Sequence, residues 1–179
     1  MPRDGDIHKA AYKGDVDEVR GLLKRGIDPN TPGASGRTAL HRAIGGCQVH
    51  VVEFLLDSKA DVNVRDKRGK TPLHWAAVIG DVECISLLID RGGDISLITR
   101  AGSTPLHMAA DSGKVGAVEL LLENGSDPEA QDNSGMTAYD LAKLGGAKDV
   151  MQILRPRKGM SFPRFGKITQ CGAPRCAVQ

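Results

Sequence analysis

The stretch GKTPLHWAAVIGDVECISLLIDRGGD, residues Gly69 to Asp94, decides the fold. Thr71 is a residue type suited to an N-cap, and Pro72 falls at the first helical position, where a missing N–H costs nothing. Leu73, Ala76 and Ala77 then share one face at helical spacing, with alanines small enough to let a neighbouring helix come close. Gly80 predicts the end of this short helix. Asp81 is placed to cap a second one, with Val82, Ile85, Leu88 and Ile89 as its expected apolar stripe. Gly92-Gly93 closes the second helix, and DISLITRAG, residues 94–102, predicts an extended run into a turn. Two one-sided helices cannot bury both stripes against each other alone, so such a unit must stack on copies of itself.

The copies are present. The chain repeats with a period of 33 residues and no insertion or deletion. Threonine recurs at Thr38, Thr71, Thr104 and Thr137, opening the segments TALHRAI, TPLHWAA, TPLHMAA and TAYDLAK, with a degenerate forerunner, GDIHKAA, from Gly5. Glycine stands two residues before each threonine, at Gly36, Gly69, Gly102 and Gly135. A later glycine recurs at Gly14, Gly80, Gly113 and Gly146, and Cys47 takes its place in the second unit. Leucine pairs follow at Leu22-Leu23, Leu55-Leu56, Leu87-Leu88 and Leu121-Leu122.

On these residues the chain resembles the ankyrin-repeat family. The threonine-proline-leucine-histidine-x-alanine signature is complete at Thr71–Ala76 and Thr104–Ala109, and Ala39 replaces its proline at Thr38–Ala43. The resemblance implies an all-α solenoid of stacked helix–turn–helix units with projecting turns. It covers residues 3–154, with units at about 3–35, 36–68, 69–101, 102–134 and 135–154. The end units depart from the pattern: Gly5 stands for threonine in the first, and Ala138, Tyr139 and Asp140 replace proline, leucine and histidine in the last. Both are expected to be caps, because each has one face in water.

Composition agrees with such a stack. The chain has 179 residues, 40% apolar and 26% charged, with three Phe, two Tyr and one Trp, so its core must be built from aliphatic residues and alanine. The net charge of +2 conceals an asymmetry. Arg155, Arg157, Lys158, Arg164, Lys167 and Arg175 follow the repeats without an acid among them, leaving 18 basic against 22 acidic residues over 1–154. The opening MPRDGDIHKA has no apolar run, and no stretch has the length of a membrane span. Of four cysteines, Cys47 and Cys84 fall inside the repeats and Cys171 and Cys176 beyond them, unlike a disulfide framework. An intracellular, monomeric, cytoplasmic protein is expected, peripheral on a membrane or else in cytosol or nucleus.

The residues that invite catalytic or metal chemistry have simpler roles. His8, His41, His74 and His107 lie one repeat apart, and stacked helices are about 8–10 Å from axis to axis, whereas zinc needs its ligands within about 2.0–2.3 Å. In ankyrin proteins this histidine ties adjacent units by hydrogen bonds, and the resemblance implies the same here. Gly69-Lys70-Thr71 resembles the end of a phosphate-binding loop, but Val64 stands where its first glycine belongs. Neither a cofactor, a metal nor an enzyme activity is expected.

Ankyrin stacks commonly bind proteins across their turns, or fingers, and their first helices, or palm. The position after the signature histidine points into that palm and reads Lys9, Arg42, Trp75, Met108 and Leu141. Next come Tyr12, Val78, Asp111 and Leu144, then Lys13, Ile79 and Ser112. Arg42, Trp75, Val78, Ile79 and Met108 are the expected partner anchors, since aromatic, methionine and arginine side chains make interface hot spots. Arg37, Arg65, Lys67, Arg68, Lys70 and Arg100 make the middle fingers basic, which suits an acidic partner segment or an anionic membrane surface. Nucleic acid is not expected, because the repeat body is net acidic and the palm lacks a continuous basic stripe.

The residues after 154 read as a flexible basic tail, 155–179. Cys176-Ala177-Val178-Gln179 matches a prenylation box, with Cys176 as farnesyl acceptor. One isoprenoid holds reversibly, and Cys171, as a palmitoyl acceptor, and the basic residues are candidate second signals. Ser161 sits in a basic run as a phosphorylation site able to weaken such attachment. A membrane-tethered protein-interaction adaptor or scaffold is therefore expected. The alternative is a soluble inhibitor or regulatory subunit that blocks a kinase or transcription factor with its concave face.

Overall fold

A computed structural model describes residues 4–155. Among them are ten α-helices and no strand. First helices are α1 (Asp6–Lys13), α3 (Ala39–Gly45), α5 (Pro72–Ile79), α7 (Pro105–Asp111) and α9 (Ala138–Leu144). Second helices are α2 (Val16–Lys24), α4 (Val49–Asp57), α6 (Val82–Asp90), α8 (Val115–Glu123) and α10 (Lys148–Leu154). Each first helix packs on its own second helix and on the first helices of neighbouring units, so two parallel layers run the length of the stack. No helix among the described residues is long and apolar enough to cross a membrane.

The caps form as the signature dictates. Thr71 and Thr104 accept from the backbone N–H of His74 and His107, and each histidine Nδ1 in turn accepts from the threonine N–H at 3.2 Å. The other ring nitrogen reaches the next unit: Nε2 of His41, His74 and His107 meets the carbonyl oxygens of Lys70, Ser103 and Met136 at 3.1 Å each. His8 does the same to Thr31 at 3.0 Å. With Nδ1 accepting, Nε2 carries the proton and donates. Burial in this position pulls the pKa of His41 and of His74 down to about 4, so both rings are neutral near pH 7. In α9, Asp140 replaces the histidine and still accepts from the Thr137 N–H at 3.0 Å. A carboxylate has no proton to hand on to a further unit, which suits a position that ends the stack.

The core follows the small-residue pattern. Ala10, Ala43, Ala76, Ala109 and Ala142 are all buried between first helices. One expectation about α6 needs correction: Val82 is 44% exposed, and the buried set is Cys84, Ile85 and Leu88. Val82 is the first residue of its helix and lies beside Gly116 of the neighbouring α8, and the fully buried stripe begins at Cys84.

The fingers are tied edge to edge. Lys67 N–H donates to Ser35 O at 2.9 Å, Arg100 to Arg68 and Asn133 to Ala101, both at 3.0 Å. Gly102 shows why glycine recurs there: its φ is +79°, and an added Cβ would stand 2.7 Å from the Asn133 backbone nitrogen.

Candidate protein-binding surface

Finger two is braced by one buried acid. Asp66 accepts through Oδ1 from the N–H groups of Arg68 and Lys70 at 2.8 and 2.9 Å, which shapes the turn. Its other oxygen faces the palm, where Trp75 Nε1–H donates to it at 3.3 Å. Arg37, from the preceding finger, approaches the same oxygen at 4.0 Å and lays its guanidinium over the Trp75 ring, 4.2 Å from the centroid. Lys70 places its ammonium 5.4 Å from that ring. Trp75 is therefore half-buried, fixed at its N–H by a carboxylate and flanked by two cations.

Arg42, one unit before Trp75 on the palm, pairs with Asp4 at 2.5 Å. Asp4 also accepts from the Ala34 N–H at 2.9 Å; burial opposes its charge, but these bonds hold its carboxyl below the usual range. The Nε atoms of Arg37 and Arg42 are both buried without a hydrogen-bond partner among the described residues. Burial and the nearby Arg42 charge lower the Arg37 pKa against the pull of Asp66, and burial lowers that of Lys70. The cations over Trp75 are crowded relative to their carboxylates, so the local field attracts anions.

The other expected anchors divide into two groups. Val78, Ile79 and Met108 are half-buried on the palm beyond Trp75, so Trp75 marks the junction between a basic and an apolar region. Arg65, Lys67, Arg68 and Arg100 are exposed on the fingers. Arg37 and Lys70 differ from them, folding back onto the tryptophan. Cys171, Cys176 and Ser161 lie outside the described residues. Asp66 and Asp4 were not anticipated as parts of the site. A signal for Asp66 was available, since Asp132 holds the same position two units on and braces its own finger in the same way.

Each signature histidine is engaged at both ring nitrogens, and no group of three or more His, Cys, Asp or Glu among the described residues is placed to hold a metal ion. The outer layer carries ion pairs of its own, such as Arg91 with Asp57 at 2.6 Å, which join α6 to α4.

Comparison with known protein families agrees with this architecture. A family model described as Ankyrin repeats (3 copies) matches residues 50–132 and 79–163. A second, described as Ankyrin repeats (many copies), matches residues 7–56. Comparison with curated proteins gives no significant match. Repeats of this type mediate binding to other proteins. With the matches running through nearly all of the stacked units, the chain belongs to the ankyrin-repeat family.

Proposed function

We propose that this stack is a non-catalytic adaptor that captures an acidic segment of a protein partner on its palm and middle fingers. The observation that carries the reading is the Arg37–Trp75–Asp66 arrangement. It preorganises a cation at the palm, next to exposed Arg65, Lys67 and Arg68 and to the aliphatic surface of Val78, Ile79 and Met108. A preorganised guanidinium loses little freedom on binding, and its fork matches a carboxylate. Affinity purification with mass spectrometry, comparing wild type with Trp75→Ala, tests it. Partners should be lost while the thermal unfolding transition remains cooperative. Undiminished recovery puts the interface elsewhere.

The proposal extends to where the adaptor acts. Cys176-Ala177-Val178-Gln179, when it stands at a carboxyl terminus, has the residues of a farnesyl acceptor. Cys171 offers a second acyl site, and the six basic residues would each contribute about 1 kcal/mol near anionic lipid. Membrane fractionation of wild type against Cys176→Ser should move the protein to the soluble fraction. Equal distribution would favour a soluble inhibitor acting through the same concave face. Ser161→Glu should weaken partition through added negative charge, and an unchanged partition would remove Ser161 from the account.

A further inference from the structure

Equivalent positions in successive units change character in one direction along the stack. On the palm, the position after the signature histidine reads Lys9, Arg42, Trp75, Met108, Leu141, from basic through aromatic to apolar. At the base of the fingers, after Asp4 in the first unit, Arg37, Lys70, Ser103 and Met136 run from basic through polar to apolar. From the second finger on the tips follow: Lys67, Arg68 and Arg100 give way to Asn133 and Ser134 on the fourth, while the first carries Ala34 and Ser35.

The palm column, with the finger bases from the second unit on, makes the concave face bipartite. Its first half, over units one to three, is rich in cations, with Lys9 3.7 Å from exposed Asp6. Asp4 is committed to Arg42, and Asp66 to its own turn and Trp75. The second half, over units three to five, is an aliphatic shelf of Met108, Leu141 and Leu144, the last 75% exposed, with Asp111 as the acid among them. The Arg37–Trp75 stack stands at the join. Adjacent first helices lie about 8–10 Å apart, and an extended chain advances about 3.3 Å per residue, so three residues of an extended ligand span one unit.

We propose that the palm reads one polypeptide segment in order: an acidic block over units one to three, continuous with an apolar block over units three to five. This rests on the palm being the binding surface, and refines it. Charge complementarity chooses the occupant. The chain's own residues 155–179 contain six bases and no acid, so they do not match the basic half. A lipid surface or nucleic acid offers negative charge everywhere and no reason for an aliphatic shelf at one end.

The test is selection of a displayed random 16-residue peptide library on the full chain, followed by affinity measurements on one enriched peptide and its two halves. Enriched peptides should pair an Asp/Glu block with a Leu/Met/Phe block. Lys9→Glu and Arg42→Glu should weaken the acidic half about tenfold and leave the apolar half unchanged. Leu144→Asp, at an exposed position that folding does not need, should do the reverse. Binders whose halves respond equally to both substitutions would overturn the order while keeping the palm as the site. Binders indifferent to all three but sensitive to Ser86→Glu on α6, or a library that yields none, would overturn the palm reading itself. Phosphatidylserine vesicles binding with the same Lys9→Glu sensitivity would assign the basic half to lipid and overturn the proposal.

Discussion

The guanidinium carbon of Arg37 stands 4.2 Å from the centre of the Trp75 ring, although the two residues belong to different units. The stack thus joins finger one to the palm of unit three, and it is both a structural clamp and the cation offered to a partner. The two side chains should therefore be energetically coupled. In a double-mutant cycle of Arg37→Gln and Trp75→Leu, urea unfolding should show a coupling of about 1 kcal/mol, as expected of a partly desolvated cation–π pair. Strict additivity would mean that the contact contributes nothing to folding.

This pairing is not legible in the sequence. The helices and caps follow from local spacing within 33 residues, and a single unit such as Gly69–Asp94 is enough to derive them; the histidine ties, which reach into the next unit, were implied by the ankyrin resemblance. Arg37 reaches Trp75 only because finger one is bonded to finger two through Ser35 and Lys67, and because Asp66 holds the indole N–H. Those are relations between units, which periodicity alone does not order. Val82 failed for a local reason: it is the first residue of α6 and stays 44% exposed, while Ile85 and Leu88 of the same expected stripe are buried. Arg42 and Met108 were placed on the palm by register, but the carboxylate that pairs Arg42 came from the irregular segment before α1.

Stability should fall in mild acid. His41 and His74 have folded pKa values of about 4 against 6.5 for the free side chain, so below pH 6.5 the unfolded chain binds more protons. Their contribution is complete above pH 6.5 and is lost as pH drops toward 4, at up to about 1.4 kcal/mol per pH unit for each ring. Urea midpoints measured from pH 7.5 to 5 should show this decline. His74→Gln should lower stability at pH 7.5 by about 1–3 kcal/mol and flatten the slope. An unchanged slope would mean that His74 does not titrate with folding.

Cys47 occupies the turn where other units have glycine, and it holds φ at +55°. A side chain in this left-handed region is strained by about 1 kcal/mol relative to glycine. Cys47→Gly should raise the thermal midpoint, since the exposed thiol contributes no core contact. A lower midpoint would show that the unfolded-state entropy of glycine outweighs the strain.

Thiol reactivity should separate the two repeat cysteines. Cys84 is fully buried, and burial together with the neighbouring Asp81 carboxylate pushes its thiol pKa up. Iodoacetamide at pH 8, read by peptide mass spectrometry, should label Cys47 in the native protein and Cys84 only in denaturant. Native labelling of Cys84 would reveal opening of the seam between α6 and its neighbours.

The most direct measurement of the central claim is site-specific photocrosslinking. A photoreactive residue replaces either Met108, half-buried on the palm, or Ser86, exposed on the outer helix α6. Each protein is then irradiated with a partner recovered by wild type and lost by Trp75→Ala. An adduct from position 108 and none from position 86 is the predicted result. An adduct from position 86 alone would contradict the palm as the surface through which this stack acts.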